Sequence, residues 1–191
     1  MADVLLFHHA LGQTPGFLAF ADTLREAGHT VHTPDAFDGR TFATIEEGVA
    51  HARSIGFQKL QDQGVAAADG LPDDLVYAGF SLGVMAAQRL AQTRPGARGA
   101  VLLDSAIPLG EFAPDWPAGV PVQVHGGEAD EFFMDEGDVE AARQLVDAAG
   151  DGELFTYAGC GHLFADASAP AYDPDAAALA QQRVLDFLAR V

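Results

Sequence analysis

The sequence predicts an α/β fold, with about six mainly parallel strands in one doubly wound sheet and helices on both faces. Three observations carry this expectation. Short apolar runs recur at Leu75–Ala78 and Ala100–Leu103, and Leu75–Ala78 shows no alternation with polar residues, as in a strand covered on both sides. Helix signals separate most of these runs, so consecutive strands need crossovers and lie parallel. Polar side chains cluster just after the runs, where ligands of such sheets bind. A length of 191 residues suits a single domain over residues 1–191, long enough to bury about 70% of its unfolded surface.

The elements follow in order. Val4–Phe7 is an apolar run ending in His8-His9, and Thr14-Pro15 is a helix cap followed by a first-turn proline. That helix reaches about Ala27, Gly28 closes it, and Thr30–Thr33 forms the second strand before Pro34-Asp35. Residues 36–70 read as a loop and then helices, with Ile45, Val49, Ala52 and Leu60 on an intermittent apolar face that covers a pocket. Leu75–Ala78 is the third strand, and Leu82–Ala91 carries strong helix formers. Strands at Ala100–Leu103 and Val122–His125, a helix over Asp138–Ala149, a strand at Leu154–Tyr157 and an amphipathic helix over Asp175–Val191 complete the pattern.

Composition excludes several function classes. The net charge of −18, from 28 acidic and 10 basic residues, disfavours nucleic acid and anionic membrane surfaces. It suits either adaptation to salt or solubility, and 49% hydrophobic content supports a globular core. No apolar window reaches the ~18 residues of a membrane span, and no basic residue precedes Arg25, so a cytoplasmic protein without a signal peptide is expected. The single cysteine, Cys160, calls for no oxidising compartment.

The stretch Gly79-Phe80-Ser81-Leu82-Gly83 stands between a strand and a helix. GxSxG at such a junction is a nucleophile elbow: the glycines allow close backbone approach, while the strained serine exposes its hydroxyl. With four serines and 21 glycines in the chain, chance supplies roughly 0.05 matches. The helix start also aims free N–H groups at the turn, where an oxyanion would be stabilised.

A serine hydroxyl needs a histidine to take its proton and a carboxylate to orient that histidine. His29, His32 and His51 lie away from carboxyl strand ends. His162 follows the last strand in a glycine-flanked turn and is the expected base. Asp130, in the loop after the fifth strand, is the preferred acid, because Gly126-Gly127 frees its loop to approach the last one. Asp104, immediately after the fourth strand, competes with it. A metal centre is not expected, since the neighbours His8 and His9 cannot share one strand face.

Taken together, HHALG after the first strand, TPD after the second, GFSLG, HGGEAD and YAGCGHLF mark the chain as similar to the dienelactone hydrolase family of the α/β-hydrolase superfamily. The resemblance covers nearly the whole chain, which resembles a trimmed, six-stranded version of longer relatives. It implies Ser81 as nucleophile, Asp130 as acid and His162 as base, with the backbone N–H groups of Ala10 and Leu82 as the oxyanion hole. Three departures qualify it. The name-giving enzymes carry a cysteine where Ser81 stands, a glutamate where His9 stands and an arginine where Asp166 stands; the last, with the net charge of −18, argues against an anionic lactone substrate. Cys160 sits beside the base rather than at the elbow and reads as a small buried thiol.

The expected activity is hydrolysis of a small-molecule ester, lactone or thioester of a neutral, fairly apolar acyl group, without a cofactor, by a monomer or homodimer. A non-catalytic binding protein of the same fold and an acyltransferase are the alternatives. Leu11, Phe37, Phe112, Trp116, Phe132 and Phe164 are pocket candidates that serve equally well as core, and His9 either positions substrate or bonds a carbonyl.

Overall fold

A computed structural model describes residues 1–191. Six strands form one sheet: β1 (Asp3–Phe7), β2 (Thr30–His32), β3 (Leu75–Phe80), β4 (Gly99–Leu103), β5 (Val122–Gly127) and β6 (Gly152–Tyr157). Their spatial order is β2-β1-β3-β4-β5-β6, and every neighbouring pair is parallel. The order reverses between β1 and β3, so the loops after these two strands diverge and leave a crevice at their carboxyl ends.

The helices are α1 (Pro15–Glu26), α2 (Ile45–Ile55), α3 (Phe57–Ala66), α4 (Val84–Thr93), α5 (Glu131–Asp135), α6 (Asp138–Ala149) and α7 (Pro174–Arg190). Strand periodicity assigns each apolar side chain to one of two layers. Val4, Leu6, Val76, Ala78 and Phe80 pack with Phe17, Phe20 and Leu24 of α1 and with Val184 and Phe187 of α7. Leu5, Phe7, Leu75 and Tyr77 face the other way, onto Leu90 of α4 and Leu145 of α6.

Capping chemistry sets the starts of the helices. The Thr14 hydroxyl accepts the Phe17 N–H ahead of Pro15, as the Thr-Pro signal predicts, and Thr44 caps α2 through the Glu47 N–H. Asp138–Ala149 matches its predicted span. The helix expected from Leu82 instead opens with a single 3-10 turn, Ser81–Gly83, and becomes α-helical at Val84. The short α5 was not expected, and Asp130 itself caps it. No helix is long and apolar enough to cross a membrane.

Candidate active site

Ser81 stands at the carboxyl end of β3 with φ +46°, a left-handed conformation that strains any residue with a Cβ. The glycines around it are required by space. A Cβ on Gly79 would lie 2.6 Å from the carbonyl group of Gly83, and one on Gly83 would lie 2.5 Å from the Phe7 oxygen. The turn therefore folds tightly onto the end of β1 and presents the hydroxyl at the crevice.

The structure brings Ser81, His162 and Asp130 into one line. The Ser81 Oγ lies 2.9 Å from His162 Nε2, and His162 Nδ1 lies 2.6 Å from Asp130 Oδ2. The tautomer that satisfies both contacts has Nδ1–H donating to the carboxylate and Nε2 accepting from the hydroxyl. The Phe132 N–H donates to the other oxygen, Asp130 Oδ1, so the carboxylate is held at both ends. Burial works against a charge on His162, but the bond to Asp130 and the nearby Asp104 carboxyl outweigh it and raise its pKa above 6.5.

Backbone contacts hold the Asp130 and His162 loops together. The Glu128 N–H donates to Tyr157 O and the Ala129 N–H to Cys160 O, each at 2.9 Å. A Cβ on Gly127 would lie 2.2 Å from the Cys160 oxygen, so the glycine permits this approach. Cys160 is buried in the seam, and burial pushes its thiol pKa up, away from the thiolate a nucleophile needs.

Asp104, the competing acid, also lies at a strand end near the histidine but does not bond to it. It is 1% exposed, has φ +60°, and neither carboxyl oxygen has a hydrogen-bond partner. Burial lifts its pKa to about 7; charge on His162 pulls it down, and the Asp130 carboxylate pushes it up. The Leu163 amide also favours the charged form without reaching hydrogen-bonding geometry.

Two backbone donors lie in the segments that follow β1 and β3. Ala10 is buried, and its N–H makes no hydrogen bond within the protein. Leu82 is the second residue of its helical turn, where no acceptor lies within the turn itself. A buried free N–H is costly unless a ligand or water meets it.

Two cavities lie at the carboxyl edge of the sheet. One, of about 340 Å³, is lined by His162, Leu163, Leu11, Thr44, Ile45, Glu46 and the Ala169–Ala171 turn. The other, of about 250 Å³, lies behind the elbow between α3 and α4, near Leu82, Met85, His8 and Asp35. None of Ser81, His162 and Asp130 lines the second, and only His162 of the three lines the first.

Several expected pocket residues do not face either cavity. His9 is fully buried and bonds Asp166 and Leu11, so it cannot touch substrate. Phe37 is buried against the rings of His8 and His51, and Phe164 packs on Tyr157 in the α1/α7 layer. Trp116 lies at the opposite edge of the sheet: its indole N–H donates to Val120 O just before β5, and its neighbour Asp115 accepts from Gln92 near the end of α4. Phe112 lines neither cavity. Leu11 does line the first, and Phe132, an exposed ring, lies 4.9 Å from the His162 imidazole. Ile45, Leu163 and Ala169 also line the first cavity, and of these the sequence points only to Ile45, through the covering role of residues 36–70. No group of three or more His, Cys, Asp or Glu side chains is placed to hold a metal ion.

A parallel sheet with a strained serine after its third strand and a histidine after its last defines an α/β hydrolase. More narrowly, the model of the dienelactone hydrolase family matches residues 2–191, and the chain belongs to that family of hydrolases. Solved structures share the fold. A dienelactone hydrolase-like promiscuous phosphotriesterase from metagenomic libraries has a TM-score of 0.75 at 17% identity, covering 100% of this chain and 86% of its own. A putative dienelactone hydrolase from Klebsiella pneumoniae subsp. pneumoniae has a TM-score of 0.70 at 19% identity, with coverage of 100% and 88%. A putative hydrolase from Xanthomonas campestris pv. campestris has a TM-score of 0.65 at 19% identity and covers 100% of both chains. No curated protein matches the sequence.

Proposed function

We propose that this chain is a serine hydrolase that cleaves an ester, lactone or thioester of a neutral, fairly apolar acyl group through an acyl-enzyme. The observation that carries this reading is the hydrogen-bonded line Ser81–His162–Asp130 at the carboxyl edge of the sheet. His162 Nε2 takes the hydroxyl proton as Ser81 Oγ attacks the carbonyl carbon, and Asp130 stabilises the imidazolium. The carbonyl oxygen becomes an oxyanion facing the Ala10 and Leu82 amides. Loss of one such donor costs about 3 to 4 kcal/mol in the barrier. His162 then protonates the leaving oxygen or sulfur. Water attacks the acyl-enzyme with its proton passing to His162, and Ser81 regains its hydrogen as the acid departs.

The cavity beside His162 supports the substrate class. Most of its lining is apolar, its one carboxylate is Glu46, and it holds no lysine or arginine to receive an anionic substrate. Asp166 stands where the name-giving enzymes carry an arginine, and it is buried and paired with His9, so no cation serves that purpose here. A panel of p-nitrophenyl esters and simple lactones, with Ser81→Ala as control, tests the reading. Turnover of short neutral esters that Ser81→Ala abolishes, with succinyl and other anionic esters poorly used, is expected. Turnover that survives Ser81→Ala refutes it.

A further inference from the structure

Outside the line of reacting groups, the most tightly bonded buried charge in the protein is Asp166. Both His9 and Asp166 side chains are fully buried, and His9 Nε2 lies 2.5 Å from Asp166 Oδ2. The same oxygen accepts the Thr14 hydroxyl at 2.5 Å, while Oδ1 accepts the Ser168 N–H at 2.6 Å. Burial disfavours this carboxylate, but the His9 and Thr14 hydrogen bonds overcome that and hold its pKa below the ordinary value. A Cβ on Gly16 would lie 1.8 Å from Asp166 Oδ1, so the sequence leaves room for the carboxylate at the start of α1.

The cluster joins two loops that a catalytic site needs in fixed relation. Residues 8–14 carry the Ala10 amide, and residues 158–169 carry His162. Two hydrogen bonds join them, His9 to Asp166 and Thr14 to Asp166, and the Gly16 N–H at the start of α1 adds a third contact by donating to Ser168 Oγ. On the first loop, His9 Nδ1 accepts the Leu11 N–H at 3.2 Å. This pins the residues on both sides of Ala10 and leaves the Ala10 N–H as the free donor. On the second loop, the Asp166 N–H donates to Leu163 O, next to His162, and Leu163 is held at φ +63°.

We propose that the His9–Asp166 pair is a positioning device that sets the oxyanion donor of Ala10 in register with His162. The inference rests on the serine-hydrolase reading. His9 and Asp166 touch neither substrate nor reacting atoms; they act through Ala10 and the His162 turn. Both partners matter because each bonding direction is specified. Asp166 accepts at both oxygens, so an asparagine there turns its NH2 either onto the Ser168 N–H or onto the donors from His9 and Thr14. If His9 switched tautomer to accept, its Nδ1–H would face the Leu11 N–H.

The test uses Asp166→Asn, His9→Asn and the double variant in the full chain. An end-point fluorophosphonate titration counts competent sites, and kcat and KM for a neutral ester are expressed per titrated site. Affinity for a boronic acid, which mimics the tetrahedral intermediate, is measured alongside. The expected result is a kcat per site lower by about 10- to 100-fold, with KM little changed and boronic acid affinity falling in step. The double variant should be no worse than the singles, because both substitutions break one contact. A purely structural role would lower the number of titratable sites and the melting temperature but leave each site within about twofold of wild type, and that result overturns the proposal. If Asp166→Asn fails to fold, His9→Asn alone decides by the same criteria. Failure of the fluorophosphonate to label the wild type is a separate outcome that removes the serine-hydrolase reading, and this inference with it.

Discussion

Replacing Asp104 with asparagine should flatten the pH dependence of stability. In the folded chain this carboxyl is buried without a partner, and its pKa is raised from 3.8 to about 7. Between those two values the native state keeps a proton that the unfolded chain gives up. The contribution is therefore fully present below pH 3.8 and is lost as pH rises through about 7. At about 1.36 kcal/mol for each tenfold change in proton affinity, the whole effect is about 4 kcal/mol, of which about 3 kcal/mol falls between pH 5 and pH 8. Asparagine preserves the shape and removes the titration. Its unmet hydrogen bonds cost about 1 to 3 kcal/mol at every pH, which offsets the curve without tilting it. Urea unfolding of both proteins at pH 5, 6, 7 and 8, with slopes held common, reads the difference. Wild type should lose about 3 kcal/mol more than Asp104→Asn across that range. Parallel curves would refute the reasoning.

Other consequences follow from the same geometry. On the proposed mechanism His162 acts as base only when neutral, and its pKa is raised, so the acid limb of kcat/KM should have its midpoint above pH 6.5. Asp104→Asn should move that midpoint down, since a neighbouring negative charge is gone, while Asp130→Asn should lower kcat by about 10⁴-fold. Gly83→Ala should destabilise the chain by about 3 kcal/mol, a fall in Tm of about 6 to 12 °C, because its Cβ would meet backbone oxygens of Phe7 and His8. Ser81→Gly should abolish turnover yet gain about 1 kcal/mol in urea unfolding by relieving the left-handed conformation, a gain Ser81→Ala should lack.

The legible parts of this protein were those written in local chemistry. Thr14-Pro15 announced α1, Asp138–Ala149 carried its period throughout, and Gly79 and Gly83 marked a turn that tolerates no side chain. Strand ends sufficed to gather Ser81, Asp130 and His162, since a parallel sheet delivers every carboxyl end to one edge. Choosing between Asp104 and Asp130 by sequence rests on reading Gly126-Gly127 as a turn, whereas both glycines continue β5 and pair with Thr156 and Tyr157; only side-chain direction shows which carboxylate meets the imidazole. Three of the aromatic candidates sit in the core rather than beside either cavity, for a related reason. Residue type says that Phe37, Trp116 and Phe164 are buried, but not at which edge or in which layer. The His9–Asp166 bond joins residues 157 apart, and no spacing rule reaches that far.

The central claim is that the Ser81 hydroxyl is reactive because His162 draws off its proton. Intact-mass and peptide analysis after treatment with a fluorophosphonate measures this directly. One adduct per chain is expected, on the peptide containing Ser81, and it should form far more slowly in a His162→Ala variant. An unmodified Ser81 in the folded wild-type protein, or equal labelling rates with and without His162, would contradict the account.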